Sequence, residues 1–288
     1  MTPIVLDLDG SVGALDGATR IDLRAWHDRL RFACSRRALS EFARSLAPQL
    51  PQRHGTVFMG SGDFHHLSLP LIERAAREAG RLQVVVFDNH PDNMRFPFAV
   101  HCGSWVASVA ALPQVARMHV VGITSHDIGL WHAWENRLAP LYRGRLRYWS
   151  SAVPVGWAQT LGLSSAVRSF ATVDALLDAF NAEIASTSDP LYLSVDKDVL
   201  RPQDAMTNWD QGQMRADALL DSIERIRPRL IGSDVTGDIS IAAYPQRWKR
   251  MLAAVDGQQP PDPATLQAWQ AQQHALNRRL LAAIVDQS

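Results

Sequence analysis

The stretch Leu82-Gln-Val-Val-Val-Phe-Asp88-Asn-His90-Pro-Asp92 decides how this chain is read. Its apolar, β-branched run predicts a strand buried on both faces, as in a parallel sheet. Three side chains able to bind a metal begin, at alternate positions, where the apolar run stops. In extended backbone, residues two apart point the same way, so Asp88, His90 and Asp92 can converge on one point from a strand end. That is a ligand set for a metal ion. The other reading of D-x-H-x-D standing alone is an Asx-rich turn with a solvated imidazole.

A second stretch repeats the design: Pro190-Leu-Tyr-Leu-Ser194-Val-Asp196-Lys-Asp198 is again an apolar strand ending in carboxylates two apart. Leu230–Asp238 is a third, with Asp234 and Asp238 at its end. The short apolar strand Thr56–Met59 runs into Gly60-Ser-Gly62-Asp63-Phe64-His65-His66, a loop with glycines for tight turns and two imidazoles.

Further strands are expected at Pro3–Leu8, Met118–Ile123 and Leu146–Trp149. Helical patterns cover Ile21–Phe32, Glu41–Leu46 behind a Ser40 cap, Leu67–Ala79, Ser104–Ala111, a Trp-rich Leu130–Arg137, Asp174–Ala185, Met214–Ile226 and Ala264–Val285. From Pro245 onward the chain reads as helical with a break at Gly257–Pro263. Ser150–Ser169 reads as mostly irregular and Gln203–Gly212 as a polar loop. Arg29, Arg31, Arg36 and Arg37 read as a solvated helix face. Strand and helix alternate throughout, which predicts one α/β domain over 1–288 with a parallel sheet and no linker or repeat. The carboxyl ends of parallel strands share one edge, so polar groups far apart in sequence can meet in one crevice.

Acidic and basic residues balance at 29 each, which argues against a nucleic-acid or membrane-surface protein and fits an enzyme of small molecules. Two cysteines, Cys34 and Cys102, exclude a disulfide framework and suit a reducing cytoplasm. The start of the chain does not read as a signal peptide, and no run approaches the roughly 18 apolar residues of a membrane span. A homo-oligomer is compatible with all of this.

The charge count selects the ions. Two divalent cations bring four positive charges; Asp88, Asp92, Asp196 and Asp198 bring four negative ones, with imidazoles completing the shells. Carboxylate-rich sites without thiolate suit Mn2+, although ligand type leaves Ni2+, Fe2+, Co2+ and Zn2+ open. Without metal, the carboxylates would repel and raise one another's pKa. Two ions about 3.5–4 Å apart would hold a bridging water and deliver a hydroxide, so hydrolysis is the expected chemistry.

These motifs resemble the arginase/agmatinase (ureohydrolase) family, in a divergent branch. Asp88-Asn-His90-Pro-Asp92 matches its D-A-H-x-D and Ser194-Val-Asp196-Lys-Asp198 its S-x-D-x-D, while Gly62-Asp63-Phe64-His65 looks like a stretched G-G-D-H. The resemblance spans roughly Gly60 to Asp238. It implies a three-layer α/β/α arginase-like domain, two Mn2+ ions and hydrolysis of a guanidino or amidino C–N bond, often with urea as product. It further implies His65 as the ligand from its loop, with His66 behind it or in the core. His101 looks like the family's H-G histidine, a candidate proton shuttle, with a helix-capping or core role as the other reading. Asp234-Val-Thr-Gly answers the E-V-N-P glutamate that pairs with the guanidinium.

The family's recognition loop is replaced by Thr207–Gly212, where Asn208, Trp209 and Asp210 are candidates for substrate binding; the other reading is a surface turn with Trp209 packed inward. Arginine and agmatine are therefore expected to be poor substrates. Two alternatives remain at this stage: a deacetylase-type amidohydrolase using one Zn2+ on a related fold, and an arginase-like metal-binding protein without turnover.

Overall fold

The computed structural model describes residues 1–97, 99–241 and 262–285. A nine-stranded sheet runs through it in the order β2-β1-β4-β11-β10-β5-β7-β8-β9. The strands are β1 (Ile4–Asp7), β2 (Thr19–Asp22), β4 (Thr56–Phe58), β5 (Leu82–Phe87), β7 (Val115–Ile123), β8 (Leu146–Ser151), β9 (Val167–Phe170), β10 (Leu191–Asp196) and β11 (Leu230–Thr236). All of its pairings are parallel. A separate antiparallel pair joins β3 (Ala33–Cys34) to β6 (Val100–His101).

The apolar run of β5 shows why three layers form. Leu82, Val84 and Val86 pack into one core, with the helices Arg36–Leu46, Ser68–Ala79 and Val106–Ala110. Val85 and Phe87, on the other side of the pleat, pack into a second core with Val173–Ala185, Ala216–Ile226 and Pro263–Ile284. A strand covered on both faces has no polar alternation to display, which is why β5 and β10 read as continuous apolar stretches. The fold is thus α/β with helices on both faces of a parallel sheet. No helix among the described residues is long and apolar enough to cross a membrane.

Several local expectations need correction. The helix expected from Glu41 begins at Arg36, and its cap is Ser35, whose Oγ accepts from Ala38 N at 3.1 Å. Ile21–Phe32 is not one helix: it opens on edge strand β2 and later makes the short helix His27–Leu30. Leu130–Arg137 forms only the turn Ala133–Glu135, because Asn136 is drawn out to bridge Met94 and its Nδ2 donates to Asp127 O at 2.8 Å. Within Ser150–Ser169 lie a short helix, Gly156–Thr160, and most of edge strand β9, too short and too exposed to show a pattern. Arg31 is not solvated: it is 1 % exposed and its Nε donates to Asp63 Oδ2 at 2.6 Å. Residues 245–261, expected to be helical up to a break, lie outside the described residues. The closing helix, Pro263–Ile284, starts at Asp262, whose Oδ1 accepts from Ala264 N and Thr265 N.

Candidate metal centre

Asp88 follows the last residue of β5, and its Oδ1 accepts from His90 N at 2.6 Å, which curls the chain so that His90 and Asp92 come round the same strand end. Asp92 has φ +45°, in the left-handed region where few residues other than glycine, asparagine and aspartate sit easily. Its Oδ2 accepts from the buried Trp105 Nε1 at 2.6 Å. His65 arrives from the turn Gly62–Leu67, which follows β4 and is capped by Ser61. Asp196 ends β10; its Oδ1 accepts from Asp198 N at 3.1 Å, so both carboxylates return to the same point.

These groups meet. His65 Nδ1 lies 2.9 Å from Asp92 Oδ2, 3.2 Å from Asp88 Oδ2 and 3.5 Å from Asp196 Oδ2. His90 Nδ1 lies 2.9 Å from Asp198 Oδ2 and 3.6 Å from Asp88 Oδ1. Two donor groups result, His65–Asp88–Asp92 and Asp88–His90–Asp198, each with its ligand atoms within 4.8 Å of one another and with Asp88 common to both.

The residues behind the donors set their orientation. Tyr192 OH and Ser68 Oγ donate to Asp234 at 2.9 Å each, and Ser194 Oγ donates to it at 2.6 Å. With its proton given to Asp234, Ser194 Oγ can only accept from His65 Nε2, 3.0 Å away, so Nδ1 is the nitrogen that faces the carboxylates and that would offer its lone pair to a cation once its proton is displaced. Asp210 Oδ1 does the same for His90, at 2.7 Å from Nε2.

The electrostatics fit a cation between the groups. Burial and the neighbouring Asp88 carboxylate push Asp92 up to about 7. Asp198 is likewise pushed up to about 7, by burial and Asp88. Asp196 is raised well above the carboxylate range by burial and Asp198. Burial pulls both imidazoles down, but the surrounding aspartates outweigh it and hold His65 and His90 well above their ordinary value. Asp88 Oδ2 is buried without an aligned hydrogen-bond donor. Oxygen-rich, nitrogen-completed and free of thiolate, the donor set has the chemistry of a divalent-cation site.

A cavity of about 420 Å3 opens over these residues. Of the side chains singled out from sequence, His65, Asp88, His90, Asp92, Asp196, Asp198, His101 and Trp209 line it. Trp209 stacks on Phe32 at 5.9 Å and 11°, and its Nε1 donates to Asp63 Oδ1 at 3.2 Å. His101 is both wall and cap: Gly103 N donates to its Nδ1 at 2.9 Å, and burial pushes its pKa down to about 4.

Three assignments change. Asp234 does not reach the cavity; it is fully buried beneath it, bound to Ser68, Ser194 and Tyr192. Asn208 spends its amide on Ser240, accepting from its N at 3.0 Å and donating to its O at 2.9 Å. Asp210 is an exposed residue that orients His90 and lies outside the cavity lining. Sequence reasoning missed Trp105, Ser194 and Tyr192 as supports. It also missed Asp127, from the polar turn after β7, and His132 and Glu135, from the Trp-rich segment, all of which line the cavity. The regular helix expected over Leu130–Arg137 hides His132 and Glu135, while Asp127 reads as an ordinary turn residue.

Fold and site together define an arginase-like α/β fold with a histidine–carboxylate cluster at the carboxyl ends of its parallel strands. Among solved structures, the chain is similar to proclavaminate amidino hydrolase from Streptomyces clavuligerus (16 % identity, 99 % of this chain and 92 % of that one, TM-score 0.55). It is similar also to formimidoylglutamase from Bacillus subtilis (13 % identity, 99 % and 87 %, TM-score 0.54). A third is Trypanosoma cruzi formiminoglutamase with Mn2+2 (13 % identity, 95 % and 76 %, TM-score 0.52). An uncharacterized protein of Thermotoga maritima is 27 % identical over 190 residues, 66 % of this chain. The match spans 60 % of that protein's length. No protein-family model matches the chain.

Proposed function

We propose that this chain is a metal-dependent hydrolase of a guanidino or amidino C–N bond, holding two divalent ions, Mn2+ by preference. The observation that carries the reading is the pair of histidine–carboxylate donor groups that share Asp88. His65, Asp92 and Asp196 would complete one position and His90 and Asp198 the other. Such ions, when bound, supply Lewis acidity and a water of lowered pKa.

The chain's own residues do the rest. Trp209 and Phe32 present parallel rings at the cavity wall, where a planar amidinium can lie against them, worth roughly 0.5–2 kcal/mol when desolvated. His101 is neutral at pH 7, and the Gly103 N–H bonded to Nδ1 puts its ring proton on Nε2. It therefore serves as a neutral hydrogen-bond donor to substrate or leaving group, and not as an imidazolium.

The test is a panel of guanidines, amidines and amides offered to Mn2+-loaded protein, with release of urea, ammonia or amine measured alongside elemental analysis. About two ions per chain and turnover confined to guanidines or amidines are expected. One tightly held Zn2+ with amide cleavage would instead mean a deacetylase-type enzyme. Full metal occupancy without any turnover would mean a metal-binding protein that is not a hydrolase of this class.

A further inference from the structure

One wall of the metal cavity has a second face. Met94 and Asn136 pair as an antiparallel bridge, flanked by the bonds Arg95 N to Glu135 O, 2.8 Å, and Arg137 N to Asn93 O, 3.0 Å. Side chains alternate across extended backbone. Met94, Phe96 and Asn136 accordingly line the metal cavity, while Arg95, Pro97 and Arg137 line a separate cleft of about 910 Å3 behind it. Arg143 and Arg145, from the turn that precedes β8, complete that cleft.

Four arginines thus line one concave surface, and no Asp or Glu among the described residues lines it. Two of them are fixed by backbone carbonyls: Arg95 Nε donates to Asn136 O at 3.2 Å, and Arg145 donates to Ala110 O at 3.2 Å and to Leu112 O. Carbonyls hold a guanidinium in place without cancelling its charge. In a chain whose acids and bases are equal in number, four cations gathered without an acid leave a local surplus that an anion would neutralise. Guanidinium forks match the tetrahedral oxygens of a phosphate bidentately, and better than an ammonium does.

We infer that this cleft binds a small phosphate-bearing anion. Its place behind the Met94–Asn136 bridge means that the occupant grips the reverse of the wall whose front shapes the metal cavity. The cleft is concave, and two of its cations are already held in position, which favours a small molecule over an extended surface.

Pyrophosphate is the probe, titrated calorimetrically into the Mn2+-loaded protein at low ionic strength, with metal content measured afterwards. The expected result is saturable binding that weakens about tenfold in Arg143→Gln and further in Arg95→Gln/Arg143→Gln, at unchanged metal content. Amide exchange across 93–97 and 134–138 is expected to slow on binding. Arg143 is exposed at a turn, so its replacement leaves packing intact, and a thermal melt confirms it. Equal affinity in wild type and both variants would place the anion on the metals and overturn the inference. So would sulfate binding as tightly as pyrophosphate, meaning an adventitious ion only. Binding to anionic phospholipid vesicles without binding of pyrophosphate would mean a membrane surface instead.

Discussion

Asp92 carries two constraints at once, a charge that faces His65 and a backbone held at φ +45°. Asparagine tolerates that backbone, whereas alanine there costs on the order of 1–2 kcal/mol. Asp92→Asn and Asp92→Ala should therefore lose metal alike but differ in chemical denaturation, with the alanine variant the less stable. Equal midpoints, or full metal in either variant, would contradict the assignment. Asp210 was expected at the substrate, yet it holds His90 Nε2, so the informative consequence is on the ion. Asp210→Asn should weaken metal binding at the His90 position by about 10–100-fold, as loss of a partner behind a ligating histidine does. Unchanged affinity by titration would mean that His90 needs no such support.

Among the elements, what was legible was each long strand and its polar end, because a doubly buried strand announces itself and the chemistry begins where the apolar run stops. Depth along the strand was not legible. Asp234 reads as a strand-end acid, but the register sets it opposite Ser194, whereas Asp196 lies opposite Thr236, two residues nearer the edge. Two residues of strand are about 6.6 Å, enough to put a carboxylate under the site instead of in it. Arg31 was misread for a related reason: its buried partner Asp63 is 32 positions away, and nothing local separates it from the exposed arginines around it.

The Thr207–Gly212 loop belongs to this scale too. It is fastened by the Asn208 amide to Ser240, by Gly212 N to Asp198 O at 2.7 Å and by Trp209 to Asp63 and Phe32. Asn208→Ala removes two hydrogen bonds, about 1 kcal/mol each, that hold Trp209 over the cavity. The expected outcome is lower kcat/KM with both ions retained. Unaltered kinetics would show that the loop is positioned without Asn208.

For the whole molecule, the cluster predicts how stability follows pH. In metal-free protein Asp92 and Asp198 are pushed up to about 7, and His65 and His90 lie well above their usual value. All four hold protons more tightly folded than unfolded, where aspartate titrates near 3.9 and histidine near 6.5. Their stabilisation is complete below those unfolded values and is lost as pH rises through the folded ones. Asp88, held below the usual range, has the opposite sign but acts only under about pH 4, and His101 and His119, pushed down by burial to about 4 and about 3, have the opposite sign below pH 6.5.

Chelated protein should thus show a falling Tm between pH 6.5 and 8, where every shifted group named acts in one direction or has ceased to act, and Mn2+ should raise Tm more at pH 8 than at pH 6.5. An ion at a hundred times its Kd contributes about 2.7 kcal/mol. A metal-free Tm that climbs over that range would refute this account of the site. Strand order adds a consequence for synthesis. β4, which delivers His65, and β10, which delivers Asp196, each pair with β11 and not with one another, and β11 is the last strand among the described residues. The Asp88–His90–Asp198 group stands on β5 and β10, which pair directly, whereas His65 is joined to them through the sheet only when Leu230–Thr236 follows. Completion of the His65–Asp88–Asp92 group is thereby deferred until β11 is made, behind a donor group that the β5–β10 pair can form on its own.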